Sequence, residues 1–335
     1  MRIEPLDARD EVAMKAWHDA FLASQQHGRP HAVPMRLEEM RAKFIAERDT
    51  ERDLGFSGTV DGSVVAVGQV YLTLRDNLDQ AFLEVNTHPD GRGRGHGTQM
   101  LDHLEQVARD HDRSVLVGEV AYPFEAPTDG AGTPYAEFVR RRGYTFALGN
   151  VQRVLDLPAD EAMLRALVEE AEPHHRGYTF RQFTGAVPED LVGSFVEIVG
   201  TLMTEAPTGE IDHEPEVFDV ARVRADEEVF AASGRTKFTT VAVDGKGEVA
   251  AYSEIVLPAF DPGKVYQWGT LARPQDRGRR LGLATKARNL LWAQPQLGRA
   301  TLVTFNAEVN AHMIGVNERM GFRPVERVGE YQKRL

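Results

Sequence analysis

The chain of 335 residues contains no cysteine. Disulfides, thiolate metal sites and a cysteine nucleophile are excluded at once. An excess of basic charge is also missing: 39 Lys and Arg face 51 Asp and Glu, for a net charge of −12. Nucleic acid is not expected as a partner, because phosphate contacts need clustered Lys and Arg. No apolar run approaches the roughly 20 residues of a membrane-spanning helix. The opening "MRIEPLDARDE" carries charges where a secretory leader has its apolar core. These absences predict a soluble, cytoplasmic protein without membrane contact, monomeric or homodimeric. What is present, 42% hydrophobic residues and 27% charged residues, is ordinary for folded chains, and the length points to about two domains.

Those two domains read as copies of one unit. A β-rich run with a polar turn occurs twice, as "GFSGTVDGSVVAVGQVYLTL" and as "KFTTVAVDGKGEVAAYSEIVL", the pattern of a hairpin. Each is followed by a strand, a turn of glycine and basic residues, a helix, a short strand, another helix and a Gly-aromatic exit. The exits, Gly143-Tyr144 and Gly321-Phe322, lie about 180 residues apart. The order predicts an α/β chain of two tandem domains, each a mixed sheet flanked by helices. The expected divisions are 1–157, a connecting helix and linker over 158–175, and 176–335. His174 and His175 fall in that linker and read as solvated rather than metal-bound, because no ligand spacing surrounds them. No metal site is expected anywhere.

The two turns are "GRGRGHG" over 91–97 and "RGRRLGLA" over 277–284. Each stands between a strand and a helix. A helix start leaves backbone N–H groups unpaired and carries partial positive charge, and glycine lets a ligand touch that backbone. Phosphate is the natural guest. Neither turn is a Walker A loop or a dinucleotide fingerprint.

R-x-x-G-x-G/A after a strand resembles the acetyl-CoA pyrophosphate loop of the GNAT superfamily of N-acetyltransferases. Arg92, Gly95 and Gly97 match it in the first copy, and Arg279, Gly282 and Ala284 in the second. The stretch "NAEVNAHMIGVNERMGF" is similar to the superfamily's Asn-helix-Gly-Phe motif through Asn310 and Gly321-Phe322. The tyrosine expected four residues before Gly-Phe is Asn317 in the second copy and Val139 in the first, and Gly132 stands where Asn310 does. The resemblance implies acetyl-CoA as cofactor and a catalytic second copy, with the first copy cofactor-binding or structural.

On that resemblance, the cofactor contacts of the second copy are Leu271, Ala272, Arg277, Gly278, Arg279, Arg280, Leu281, Gly282, Leu283, Ala284, Asn306 and Asn310. Those of the first are Val85, Thr87, Arg92, Gly93, Arg94, Gly95, His96, Gly97 and Thr98. The implied reaction is direct acetyl transfer in a ternary complex to a primary amine of a small molecule. The alternatives are a protein or peptide acetyltransferase and a non-catalytic acyl-CoA-binding protein. Glu254 is the first candidate base and Glu308 the second. Asn317 is no acid at neutral pH, so either Tyr331 donates to the leaving thiolate or the thiolate, a tolerable leaving group, departs unaided. The acids Glu205, Glu210, Asp212, Glu214 and Glu216 would attract a cationic amine if they gather at a pocket mouth.

Overall fold

The computed structural model describes residues 1–205, 209–211, 214, 218–261 and 263–335. Asp212 and Glu216 lie outside the described residues. The first run of elements is β1 (Arg2–Pro5), α1 (Glu11–Gln26), α2 (Leu37–Ile45), β2 (Glu51–Val60), β3 (Ser63–Thr73), β4 (Gln80–Thr87), α3 (His96–Asp110), β5 (Val115–Pro123), α4 (Pro134–Arg141) and β6 (Thr145–Asp156). The second is α5 (Glu161–Ala171), β7 (Thr179–Thr184), α6 (Glu189–Val199), α7 (Leu202–Glu205), α8 (Val220–Ala232), β8 (Arg235–Val243), β9 (Val249–Pro258), β10 (Lys264–Ala272), α9 (Leu281–Leu297), β11 (Thr301–Ala307), α10 (Ala311–Arg319) and β12 (Arg323–Arg334). Apart from α5, which joins the halves, and the additional helix among α6, α7 and α8, the second run repeats the order of the first. The chain is mixed α/β, as its repeat predicts.

Local chemistry accounts for the main elements. Asp10 accepts from the amides of Val12 and Ala13 at 2.9 and 3.0 Å and starts α1; such caps contribute about 1 kcal/mol. Met14, Trp17 and Phe21 share the buried face of that helix, and the Trp17 indole donates to the Phe56 carbonyl at 3.0 Å. The β2–β3 hairpin turns through Asp61 and Gly62, both at positive φ (48° and 80°). That is the two-residue Asp-Gly turn whose twist fits antiparallel strands. Asp160 caps α5 in the same way as Asp10 caps α1.

Two compact units divide the chain. One comprises Met1–Gly149, Gly209–Glu214 and Val328–Leu335; the other comprises Asn150–Thr208 and Pro215–Arg327. The sequence division at 157 follows the order of the repeat, whereas the units follow strand pairing. Asn150–Asp156 of β6 pairs antiparallel with β11 of the second unit, from Thr301↔Asp156 to Ala307↔Asn150. The end of the last strand belongs to the first unit instead, where the Leu335 amide donates to the Ser114 carbonyl at 2.8 Å. Within the first unit the strand order is β1-β2-β3-β4-β5 followed by β12; within the second it is β6-β11-β10-β9-β8-β7.

Each unit contains one parallel pair that comes apart. β4 and β5 pair only through Gln80↔Val115, Ala81↔Leu116 and Phe82↔Val117. At Gly118 a Cβ would stand 2.9 Å from the Leu83 carbonyl oxygen, so the close approach at the fork needs glycine. β10 and β11 pair only through Lys264↔Thr301, Val265↔Leu302 and Tyr266↔Val303. Beyond these points each strand has an unpaired backbone edge facing a wedge.

Candidate active site

In the first unit β4 ends at Thr87 and a 3₁₀ turn, Pro89–Gly91, leads into the glycine loop. Gly93 and Gly95 have φ of 74° and 82°, the left-handed region that favours glycine. Nothing lies within 4 Å of a Cβ built on either, so the space above the loop is open. Gly95 caps α3 without a side-chain bond, and the first turn of α3 holds no acid. The free N–H groups there form an anion cradle. Arg92 braces the loop from beneath, donating to the Thr87 carbonyl at 3.2 Å and to the Ser24 carbonyl at 3.3 Å. Its guanidinium centre sits 5.5 Å from the centroid of the Tyr135 ring. Arg94 is exposed and is the loop's available cation. His96 and Thr98 open the helix, and Gly97 packs on Thr87, with a Cβ there 3.0 Å from the Thr87 hydroxyl. Val85 and Thr87 stand opposite Gly68 and Ala66 of β3, and beyond Phe82 the other edge of β4 has no strand partner.

Just past the fork, Glu84 and Glu119 each lie two residues beyond the last pair, Phe82↔Val117, and so share a face. Glu84 accepts from Gln25, Gln69 and Asn86 at 2.7, 2.8 and 2.8 Å, and Gln25 in turn accepts from Arg29 at 2.5 Å. Glu119 has part of its side chain exposed, and protein atoms crowd around its carboxyl. That crowding by protein pushes the carboxyl up to about 7, and the nearby Glu330 and Glu84 carboxylates add to the rise against the opposing pull of Arg29. Sequence reading missed both glutamates. The signal was available, since Glu84 in "FLEVNT" and Glu119 in "LVGEVAY" each interrupt an apolar strand.

The second loop has the same backbone and different electrostatics. Gly278 at φ 77° stands where Gly93 does, and Arg280 at φ 55° caps α9 as Gly95 caps α3. The match of the two loops therefore pairs Arg277 with Arg92 and Gly282 with Gly97, two residues away from the register read in the sequence. Every arginine of this loop has a partner. Arg277 pairs with Glu205, Arg280 with Glu170, and Arg279 stacks over Tyr178 at 5.6 Å. Leu281, Leu283 and Ala284 are core residues. Gly282 faces Thr270, and Leu271 and Ala272 pair with β9. At the positions matching Glu84 and Glu119, two beyond Tyr266↔Val303, stand Trp268 and Phe305, both exposed.

These two architectures agree with known proteins. Residues 14–124 match the model of the acetyltransferase (GNAT) family. A tandem GNAT protein from the clavulanic acid biosynthesis pathway, solved without acetyl-CoA, superposes with a TM-score of 0.82 at 24% identity over 99% of this chain and 98% of that one. Residues 14–124 are thus similar to the GNAT family, and the whole chain has the fold of a tandem GNAT protein. A GCN5-related N-acetyltransferase from Sphaerobacter thermophilus (TM-score 0.66, 16% identity, 99% and 95% coverage) shares the fold. So does a putative acetyltransferase from Pyrococcus horikoshii (0.57, 13%, 100% and 89%). No curated protein sequence matches the chain.

The other GNAT candidates are placed as follows. Glu254 is buried and paired with Lys237 at 2.9 Å. Glu308 pairs with Arg327 at 2.8 Å. Asn310 caps α10, accepting from the Met313 amide at 3.1 Å. Asn317 is fully buried, accepting from Lys286 at 2.5 Å and donating to Asn306. Tyr331 lies in the first unit rather than beside this cluster. Its ring packs on Phe146 in the core and its hydroxyl donates to the Asp129 carbonyl. The final strand left its own repeat, which no local pattern announces. The acids do not gather either: Glu205 is taken by Arg277, while Glu210 and Glu214 belong to the first unit, with Glu214 bonded to Asn77. His175 is buried against Phe180, and no metal-binding group of His, Asp and Glu exists among the described residues. Among them, too, no helix is long and apolar enough to cross a membrane.

Proposed function

We propose that the chain is an acetyl-CoA-dependent N-acetyltransferase of a small-molecule primary amine, with cofactor and chemistry in the first unit. The observation that carries this is the contrast of the wedges: Glu84 and Glu119 stand two residues beyond the fork in the first unit, where the second unit has Trp268 and Phe305, and Arg277 and Arg280 beside that second wedge are paired with Glu205 and Glu170. The residues of the first unit fit the cofactor. Backbone N–H groups of Gly93–Thr98 with Arg94 would hold its pyrophosphate, and the unpaired edge of β4 from Leu83 to Thr87 would hold the pantetheine amides. The cofactor supplies an activated acyl group. Glu119 takes the proton from the incoming ammonium, and a carboxyl near 7 is matched to that task at neutral pH. Glu84, fixed by three donors, and the neighbouring amides of Gln25 and Asn86 orient the amine. The absence of cysteine excludes a cysteine acyl-enzyme and favours direct transfer.

Calorimetric titration with coenzyme A tests the placement. We expect one site per chain, lost in Gly95→Glu and kept in Gly282→Glu; loss in Gly282→Glu alone would return the cofactor to the second unit. A thiol-release screen over amines then tests the reaction. Glu119→Gln is expected to lower kcat by about 10²-fold or more and to remove the rise in rate through about pH 7.

A further inference from the structure

Arg153 on β6 is 6% exposed, and among the described residues its side chain makes no hydrogen bond or ion pair; its Nε and Nη1 are buried without partners. Register places it opposite Thr304, on the face of β11 that also carries Asn306. Asn306 bonds Asn317 of α10, and Asn317 bonds Lys286 of α9, which is 1% exposed. Lys286 has the Asn317 oxygen and, at 5.3 Å, the Phe322 ring as its neighbours, and no carboxylate pairs with it. Burial first and the charge of Arg153 second pull its ammonium down to about 7. Burial also lowers Arg153, against the weaker attraction of Glu318 and Glu308, and Glu308 is already engaged by Arg327. Strand register and this bonded run thus bring two desolvated cations to one buried polar patch, where Arg153 has donors to spare. Unpaired buried charge is among the costliest features a fold can hold, and an anion between the two would relieve it.

We propose that the second unit contains a binding site for a small oxyanion, a carboxylate or a phosphate group, held by Arg153 and Lys286 between β6, β11, α9 and α10. The site is separate from both glycine loops and does not depend on which unit acetylates. A guanidinium with unfilled donors and a mobile-proton ammonium suit an oxyanion better than chloride, because both donate directional bonds.

Thermal unfolding of the full chain tests this in amine buffers, with inorganic phosphate, sulfate or acetate replacing chloride at constant ionic strength. The expected result is a saturable rise in Tm of about 5 °C at hundredfold excess over Kd, absent in Arg153→Met. A rise with acetate alone identifies a carboxylate ligand, and one with phosphate or sulfate a phosphoryl-type ligand. No rise with any anion, or an equal rise in Arg153→Met, overturns the site. Should Arg153→Met fail to fold, calorimetry of the wild-type chain near pH 8 decides. Anion binding must take up protons at Lys286, so the heat must vary with the ionisation enthalpy of the buffer. A heat independent of buffer overturns the proposal.

Discussion

Replacing Lys286 by methionine is expected to stabilise the protein at neutral pH, although it deletes a buried hydrogen bond. Lysine titrates at 10.5 when unfolded and at about 7 in this fold. At about 1.4 kcal/mol per pH unit, that difference costs the folded state about 5 kcal/mol wherever both forms are protonated. Losing the bond to Asn317 and leaving its oxygen unpaired returns about 1–3 kcal/mol. Methionine fills a similar volume, so packing changes little. The net gain below pH 7 is about 2–4 kcal/mol. Its pH dependence is the sharper test. A lysine depressed in the fold holds its full penalty below about 7 and loses it as pH rises toward 10.5. Wild type should therefore gain stability between pH 7 and 10 relative to Lys286→Met, and the two curves should close and then cross, because the variant's lost bond to Asn317 is not recovered. Arg153, the charge that acts on Lys286, stays protonated throughout. Urea melts at pH 7, 8, 9 and 10, in chloride and amine buffers, supply the curves. If Lys286→Met is less stable than wild type at pH 7 and the gap does not change with pH, Lys286 is not a depressed, desolvated ammonium.

Three further outcomes follow from packing. Tyr331→Phe removes the donor to the Asp129 carbonyl and should cost about 1 kcal/mol in chemical melts while leaving kcat within about threefold; a loss of 10²-fold would restore Tyr331 as an acid. Gly118→Ala forces a Cβ to 2.9 Å from the Leu83 oxygen and should destabilise by about 1–3 kcal/mol, with unchanged melts refuting the tight fork. Arg94→Ala should raise the KM for acetyl-CoA about tenfold with kcat little changed, since it removes a phosphate contact and nothing that reacts.

Much of this architecture is written locally. The Asp61-Gly62 turn, the apolar alternation of both hairpins and the glycine loops at helix starts all state their conformation within a few residues, which is why the repeat and the mixed sheets are legible. Arg280 shows where such reading slips. A loop register taken from glycine letters assumes that positive φ is always marked by glycine, and here an arginine held by Glu170 occupies that conformation. The electrostatic inversion between the loops was hidden for a related reason. Glu170 and Glu205 lie far from 277–280 in the chain, so their neutralising effect exists only once the fold brings them together. Glu119 was visible as an acid in an apolar strand, yet its altered acidity depends on Glu84 and Glu330, contributed by two other strands.

The exchange of strands sets a timetable for synthesis. The first unit is assembled from Met1–Gly149, from Gly209–Glu214 and from Val328–Leu335. Its N-terminal part leaves the ribosome early but cannot complete its sheet until Val328–Leu335 have been made. Through all that time the edge of β5 that β12 will cover stands open, a template for any stray strand. A stop codon just before Val328 would therefore injure the half of the molecule made first.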